Sequence, residues 1–334
     1  MDSVPSAILS SAASPILVTG GAGFLGSHLV ERLLAEGHAV VVVDDLSTGS
    51  LENLRAVKNH PRLRVIHSTV SACAELPELV ASASFVFHLA ATVGVKLVVK
   101  SARQVLESSF HETQTLLRAA AARPTPVLLT STSEVYGKSE KAVFREEDDL
   151  LIGPPSQARW SYACSKLTDE FLALAYAREK QLPVVIARLF NTVGPRQTGR
   201  FGMVLPRFIA AAKKNEPLKV FGDGRQTRCF GYVADVVEAL VRLKACPAAH
   251  GQIFNIGGTE EITIADLAAR VIEVLHSDSQ VELVPYAEAY APGFDDLRRR
   301  KPCVDKLAAL VGFRPATPLR EIISQTAAAA GAVI

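Results

Sequence analysis

Tyr162 and Lys166, in the run Trp160-Ser161-Tyr162-Ala163-Cys164-Ser165-Lys166, stand four residues apart. On a helix that spacing puts both side chains on one face, so an ammonium can sit beneath a phenol. At about 4 Å and an effective dielectric near 20, such a charge is worth roughly 4 kcal/mol. That is enough to lower a tyrosine pKa by up to about three pH units, which would make the phenol a general base near its working pH. Many surface helices carry Tyr-x-x-x-Lys, so the pair gains its meaning from a second motif, Gly20-Gly21-Ala22-Gly23-Phe24-Leu25-Gly26.

Gly20, Gly23 and Gly26 follow the apolar run Ile16-Leu17-Val18-Thr19 and lead into Ser27 to Glu36, which has helical periodicity. In a strand–turn–helix context, glycines permit the tight turn and let a pyrophosphate approach the backbone at a helix N-terminus. Asp44 closes the next apolar run eighteen residues after Gly26, in position to bond both hydroxyls of a ribose. A carboxylate there repels a 2′-phosphate, which favours NAD over NADP. Ser47, Thr48 and Gly49 are placed to help hold the adenosine side or to serve as ordinary loop residues. Glycine loop, acidic strand end and Tyr–Lys pair together point to hydride chemistry on a nicotinamide.

Positioning these groups requires a regular scaffold, and the chain supplies its pattern. Ala39 to Val43 reads as a buried strand, as do Leu63 to His67, Phe85 to Ala90, Val127 to Thr130 and Val184 to Leu189. Between them Glu75 to Ala81, residues 101 to 122 and residues 160 to 180 read as helices. Such alternation implies an α/β fold, a Rossmann-type doubly wound parallel sheet. After Asn191, glycines and prolines punctuate the chain, as in loops that wrap a ligand. Phe254-Asn255-Ile256 reads as a strand returning to the sheet. The expected division is residues 14–190 with a return segment near 231–257 for the cofactor, and a smaller, discontinuous lobe of 191–230 and 258–330 for substrate.

At 334 residues the chain suits two lobes. Its net charge of +2 gives no basic field for nucleic acid. Five scattered cysteines without a Cys-x-x-Cys pair read as reduced thiols of a cytoplasmic protein, neither a disulfide frame nor a zinc site. Residues 1 to 14 read as a frayed tail, not a signal peptide, and no apolar run is long enough to span a bilayer.

Taken together, Thr19 to Gly26, His88-Leu89-Ala90-Ala91, Thr130-Ser131-Thr132-Ser133-Glu134-Val135-Tyr136-Gly137, Tyr162-x-x-x-Lys166 and Arg188-Leu189-Phe190-Asn191-Thr192-Val193-Gly194-Pro195 resemble the extended short-chain dehydrogenase/reductase family. The likeness is to its nucleotide-sugar epimerases, dehydratases and decarboxylases, and it reaches as far as Gly312-Phe313-Arg314-Pro315. It implies tightly held NAD, oxidation of the sugar at C4, action on the 4-keto intermediate, and return of the hydride. It also implies that Tyr162 removes the C4 hydroxyl proton, Lys166 holds the nicotinamide ribose, and Thr132 bonds the reacting oxygen. Phe24, Leu25, Leu46, Leu89, Ala90 and Ala91 join the cofactor site by the same resemblance. Asn191, Arg200, Val204, Val220, Phe221, Arg228, Arg299 and Arg300 join the substrate site, with Phe221 stacking on the base and the arginines neutralising the diphosphate. A homodimer built on the helices at 101–122 and 160–180 is implied as well.

Ser133 and Glu134 should decide the outcome. An epimerase needs only that the ketone turn its other face. A 4,6-dehydratase needs a base and an acid, and serine is a poor acid, although the GDP-mannose dehydratases carry one there. A UDP-glucuronate decarboxylase uses the ketone as an electron sink, and members of that group carry Thr-Ser-Glu, as Thr132-Ser133-Glu134 do here. Leu151-Ile152-Gly153-Pro154, Arg228-Cys229-Phe230 and Arg300-Lys301-Pro302 also look like that group. Decarboxylation of UDP-glucuronate to a UDP-pentose therefore ranks first and UDP-sugar 4-epimerisation second, with a dehydratase or a non-catalytic NAD-binding protein behind them. Two departures stand out. Ser109 replaces the asparagine of the family's Asn-Val-x-Gly-Thr, and Thr69-Val70 replaces the Asp-Ile or Asp-Val that usually contacts adenine. His88 and His111 read as structural.

Overall fold

The computed structural model describes residues 14–91, 101–199, 203–289 and 298–330. Its centre is a seven-stranded parallel sheet in the order β11-β6-β5-β4-β1-β2-β3. The strands are β1 (Ile16–Thr19), β2 (Val40–Asp44), β3 (Leu63–His67), β4 (Phe85–His88), β5 (Val127–Thr132), β6 (Val184–Leu189) and β11 (Gln252–Ile256). The central ones are unbroken apolar runs because both faces of the sheet are covered by helices, which leaves no solvent face to alternate towards. Val40 to Asp44, for example, is buried at every position.

Helices α1 (Phe24–Ala35) and α6 (Val233–Lys244) cover one face, where Leu29, Leu33, Val236 and Leu240 pack on Val18, Val42 and Leu128. Helices α2 (Leu76–Ser82), α3 (Ala102–Ala122) and α4 (Trp160–Lys180) cover the other, with Leu79, Leu116, Leu117 and Ala173 against Leu17, Val86 and Leu129. The chain runs from β1 outward through β2 to β3, then re-enters on the opposite side of β1 as β4. This reversal opens a crevice at the carboxyl ends of β1 and β4, the place where sheets of this type take ligands. The glycine loop leaves β1 there, and Leu89-Ala90 leaves β4 beside it.

A smaller lobe has its own core, formed by Leu205, Phe208, Ile209, Val220, Leu267, Val271 and Ile323. It contains α5 (Val204–Ala212), α7 (Ile264–Leu275) and α9 (Leu319–Ala329), with α8 (Asp305–Val311) lying back against β11. Three two-stranded ribbons complete it: β7 (Thr192–Val193) with β10 (Gly231–Tyr232), β8 (Leu218–Phe221) with β13 (Val281–Val284), and β9 (Thr227–Cys229) with β12 (Glu261–Thr263).

Element edges differ from the sequence reading by a few residues, each for a local reason. β5 continues through Ser131 and Thr132 because both pair with β6, opposite Arg188 and Leu189. β4 stops at His88, short of Ala90, and α1 starts at Phe24, three residues earlier than the periodicity of Ser27 to Glu36 suggests.

Candidate active site

The cofactor crevice is built by close approach of backbone to backbone. A Cβ on Gly26 would lie 2.1 Å from the Gly20 carbonyl oxygen, and one on Gly20 would lie 2.8 Å from the Ala90 nitrogen. Gly20 also has φ of +72°, which few other residues adopt. Helix α1 begins at Phe24 with no side-chain cap on its first turn and no acidic residue in it. Its leading N–H groups are therefore left for an anion. Asp44 accepts the Ala22 N–H at 2.8 Å on Oδ2 and the Leu46 N–H at 2.8 Å on Oδ1. Burial raises its carboxyl pKa, while those two N–H groups act in the opposite direction. Leu46 takes a positive φ of 59° to make its bond, a conformation costly for a branched side chain. Gly49 lies against Ala22 and Asp44, while Ser47 turns onto Asp45. Glycine loop, uncapped helix and buried carboxylate fit a dinucleotide.

Thr132 ends β5, and its hydroxyl accepts the Glu134 N–H at 3.3 Å, starting the 3-10 turn Ser133–Tyr136. On α4, Tyr162 faces the Thr132 hydroxyl, and Lys166 lies one turn further on. Glu134 meets Arg300, whose Nη1 is 3.4 Å from its Oε1, with both side chains mostly shielded from solvent. Thr132, Glu134, Tyr162, Lys166 and Arg300 are thus brought together. Ser133, in contrast, is only 1% exposed and turns into the protein.

The expected lowering of the Tyr162 pKa by Lys166 is not found. The Lys166 ammonium donates to Asp169 Oδ2 at 3.0 Å, and both side chains are buried. Tyr162 has its pKa raised, first by burial and then by the charges of Glu134 and Asp169, with the Thr132 bond working against them. Burial is the largest cause, and the acid three residues beyond the lysine adds to it; a Tyr–Lys spacing rule considers neither.

The scaffold behind this site is held by buried polar pairs. Glu170 accepts from Arg188 Nε at 3.0 Å and Nη2 at 2.7 Å, and from Ser131 Oγ at 2.5 Å, tying α4 to β5 and β6. Tyr136 donates to Asn255 Oδ1 at 2.7 Å, and Asn255 Nδ2 donates to the Phe144 and Cys303 carbonyls at 3.0 and 3.3 Å. Those bonds clamp the segment that carries Arg300 to the turn that carries Glu134. Sequence reasoning missed Asp169, Glu170 and Asn255; a signal existed only for Asn255, a polar residue between Phe254 and Ile256 in an apolar strand.

The remaining expected ligand residues lie in the smaller lobe or between the lobes. Asn191 has φ of 33° and donates to the Cys229 carbonyl at 2.9 Å. Val204 opens α5, and Phe221 closes β8 with the Arg207 guanidinium over its ring. Val220 is fully buried in the lobe's core, where its strand pairs opposite Leu283 of β13. Arg228 is buried and donates to the Thr227 carbonyl, whereas Arg299 is exposed and pairs with Glu261 at 2.7 Å. Arg200 lies outside the described residues. No group of three or more His, Cys, Asp or Glu side chains among the described residues is placed to hold a metal ion. Nor is any described helix long and apolar enough to cross a membrane.

His88 is structural. The Thr19 hydroxyl lies 2.8 Å from its Nδ1 and that of Thr113 lies 3.2 Å from its Nε2.

The chain is similar to known proteins over most of its length. The model of the NAD dependent epimerase/dehydratase family matches residues 16–257. A UDP-N-acetyl-alpha-D-glucosaminuronate decarboxylase of Bacillus cytotoxicus is 40% identical over 93% of this chain and 95% of its own length. UDP-glucuronic acid decarboxylase 4 of Arabidopsis thaliana is 35% identical over 92% of this chain, which spans 66% of that protein. Among solved structures, the UDP-glucuronic acid 4-epimerase from Bacillus cereus, in complex with UDP-glucuronic acid and NAD, superposes with a TM-score of 0.85 at 28% identity, covering 96% of this chain and 100% of that one. With glycine loop, Asp44, Thr132, Tyr162 and Lys166 in one crevice, and with this match over most of its length, the chain is an NAD-dependent enzyme and belongs to the NAD-dependent epimerase/dehydratase family.

Proposed function

We propose that this enzyme decarboxylates a UDP-uronate to a UDP-pentose by way of a 4-keto sugar. The observation that carries the reading is the Glu134–Arg300 pair beside Tyr162. It brings a shielded cation to the turn where the reacting sugar must lie, as an anionic sugar requires and a neutral hexose does not. The names of the two relatives given above, both uronate decarboxylases, support the same choice. The burial of Ser133 argues against a dehydratase, which would need an acid open to the C6 leaving group.

NAD, when bound, would supply the hydride acceptor and later the donor at C4. Gly20, Gly23 and Gly26 with the α1 N-terminus would hold its pyrophosphate and Asp44 a ribose. Tyr162 accepts the C4 hydroxyl proton as the alcohol becomes a ketone, and the Thr132 hydroxyl steadies the developing carbonyl oxygen. The C5 carboxylate is then that of a β-keto acid. The bond from C5 to the carboxyl carbon breaks, carbon dioxide leaves, and the electron pair passes to the C4 oxygen. A proton adds at C5, the ketone is reduced, and Tyr162 returns its proton. One proton is consumed per carbon dioxide released.

Incubation with UDP-glucuronate, with UDP-N-acetylglucosaminuronate and with UDP-glucose tests this. Carbon dioxide and a UDP-pentose or its 2-acetamido counterpart are expected from a uronate; a C4 epimer without carbon dioxide would replace the reading by the 4-epimerase. That second reading is favoured by the epimerases among the structural neighbours, which share the fold and the NAD chemistry.

The packing of α3 on α4, with Leu106, Phe110 and Phe171 exposed, supports a homodimer through these helices. Light scattering at twice the 35.7 kDa chain mass is expected, and a monomer mass would refute it. Five unpaired cysteines support a cytoplasmic setting.

A further inference from the structure

Asp169 has no part in the chemistry described above, yet it is fully buried one turn from the catalytic lysine. Its Oδ2 accepts from Lys166 Nζ at 3.0 Å and from Ser109 Oγ at 2.9 Å. Its Oδ1, also buried, has no hydrogen-bond partner among the described residues. All the donors Asp169 meets are therefore on one oxygen, and the only cation among them is Lys166. Ser109 comes from α3, so the carboxylate is held from a second helix as well as from its own.

A carboxylate in that place acts in two ways. It fixes the ammonium by a short charge-assisted bond. It also cancels part of the field that the ammonium would otherwise exert on the phenol. Among the described residues, the charges that act on the phenol are those of Glu134, from the 3-10 turn, and Asp169, from α4, while His88 at the end of β4 meets the Lys166 charge and Arg300 of the smaller lobe faces Glu134. His88 is neutral under ordinary conditions, and Arg300 already faces Glu134. Asp169 is the carboxylate paired with Lys166 itself, and it acts on the phenol after burial and Glu134.

We propose that Asp169, held in place by Ser109, is a positioning residue that fixes Lys166 and sets the pH at which Tyr162 takes its proton. This rests on reading Tyr162 as the base, and not on which sugar is bound.

The test is the phenolate absorbance of the NAD-loaded enzyme against pH, taken as a difference from Tyr162→Phe, with no sugar present. For Asp169→Asn the midpoint is expected to move down by about one pH unit, and the acid limb of C4 oxidation to move with it. A midpoint at or above that of the unmodified enzyme overturns the proposal. Because Asp169→Asn leaves a buried ammonium without its counter-charge and risks unfolding, the pair Lys166→Met and Lys166→Met/Asp169→Leu provides a second measurement. Lys166→Met alone should raise the midpoint, and the double variant should bring it back towards the unmodified value. A double variant that titrates as high as Lys166→Met alone also overturns the proposal. An error in the sugar assignment would show as missing carbon dioxide while leaving these midpoints unaffected.

Discussion

His88 should make the enzyme sensitive to mild acid, and the size of the effect follows from its surroundings. Burial between β1 and α3, with the Lys166 charge adding to it, pushes its imidazole pKa from 6.5 down to about 3. The Thr19 hydroxyl, which also accepts the Ala90 N–H at 3.3 Å, has its proton free for Nδ1, while Nε2–H donates to Thr113. The neutral ring is therefore fully bonded. Between pH 6.5 and 3 the unfolded chain binds a proton at this site and the folded one does not, so stability must rise with pH across that window. At pH 7 the cost is close to zero. At pH 5, about one and a half units below the ordinary histidine value, it is about 2 kcal/mol, and by pH 3 roughly 5 kcal/mol. His88→Asn keeps a polar group near Thr19 but cannot titrate. It should cost about 1–2 kcal/mol at pH 7 through the lost Thr113 bond, yet lose about 2 kcal/mol less than the unmodified chain between pH 7 and pH 5. Urea unfolding without NAD, followed by the fluorescence of Trp160, measures both. Equal losses in the two proteins would refute the argument, because they would leave His88 no part in the acid response.

Gly26→Ala places its Cβ 2.1 Å from the Gly20 oxygen and 2.7 Å from the Gly21 Cα, both backbone atoms, whereas Gly23→Ala places its own at 3.1 Å from that oxygen. NAD affinity by equilibrium dialysis should fall by about a hundredfold for the first and about tenfold or less for the second, and equal losses would contradict the ranking. Glu170→Gln leaves the buried Arg188 without its counter-charge and should cost about 3–5 kcal/mol in urea unfolding; a loss under about 1 kcal/mol would show that the pair does not hold α4 to the sheet.

The sheet was legible because its strands are unbroken apolar runs, a pattern produced by burial on both faces. The cofactor crevice was legible because its chemistry is local: glycines within seven residues and an aspartate at the end of the next strand. The partners of these groups were not legible. Glu170 reads as a surface position on an amphipathic helix until Arg188 is known to lie opposite on β6. Arg300 reads as part of a solvated charge run or as a diphosphate ligand, and only the clamp of Asn255 on Phe144 and Cys303 shows why it reaches Glu134. In each case the missing information was a contact between residues far apart in sequence, fixed by packing and not by spacing.

The two departures from the family pattern are explained by one helix. Ser109, Glu112 and Thr113 lie within a single turn of α3, on the side towards the sheet and α4. Ser109 holds Asp169 beneath the catalytic lysine. Glu112 accepts the Ser71 N–H at 2.9 Å and its hydroxyl at 2.5 Å, tying down the loop in which Thr69 stands where an acid is usual. Thr113 holds His88 behind the glycine loop. A serine and a threonine that look like losses one at a time are thus parts of a substitute arrangement, in which Glu112 brings a carboxylate to the loop of Thr69 and Asp169 gives Ser109 a bonding partner. A chain that lost either acid alone would keep its sheet and its motifs, but its adenine-side loop or its lysine would no longer be held.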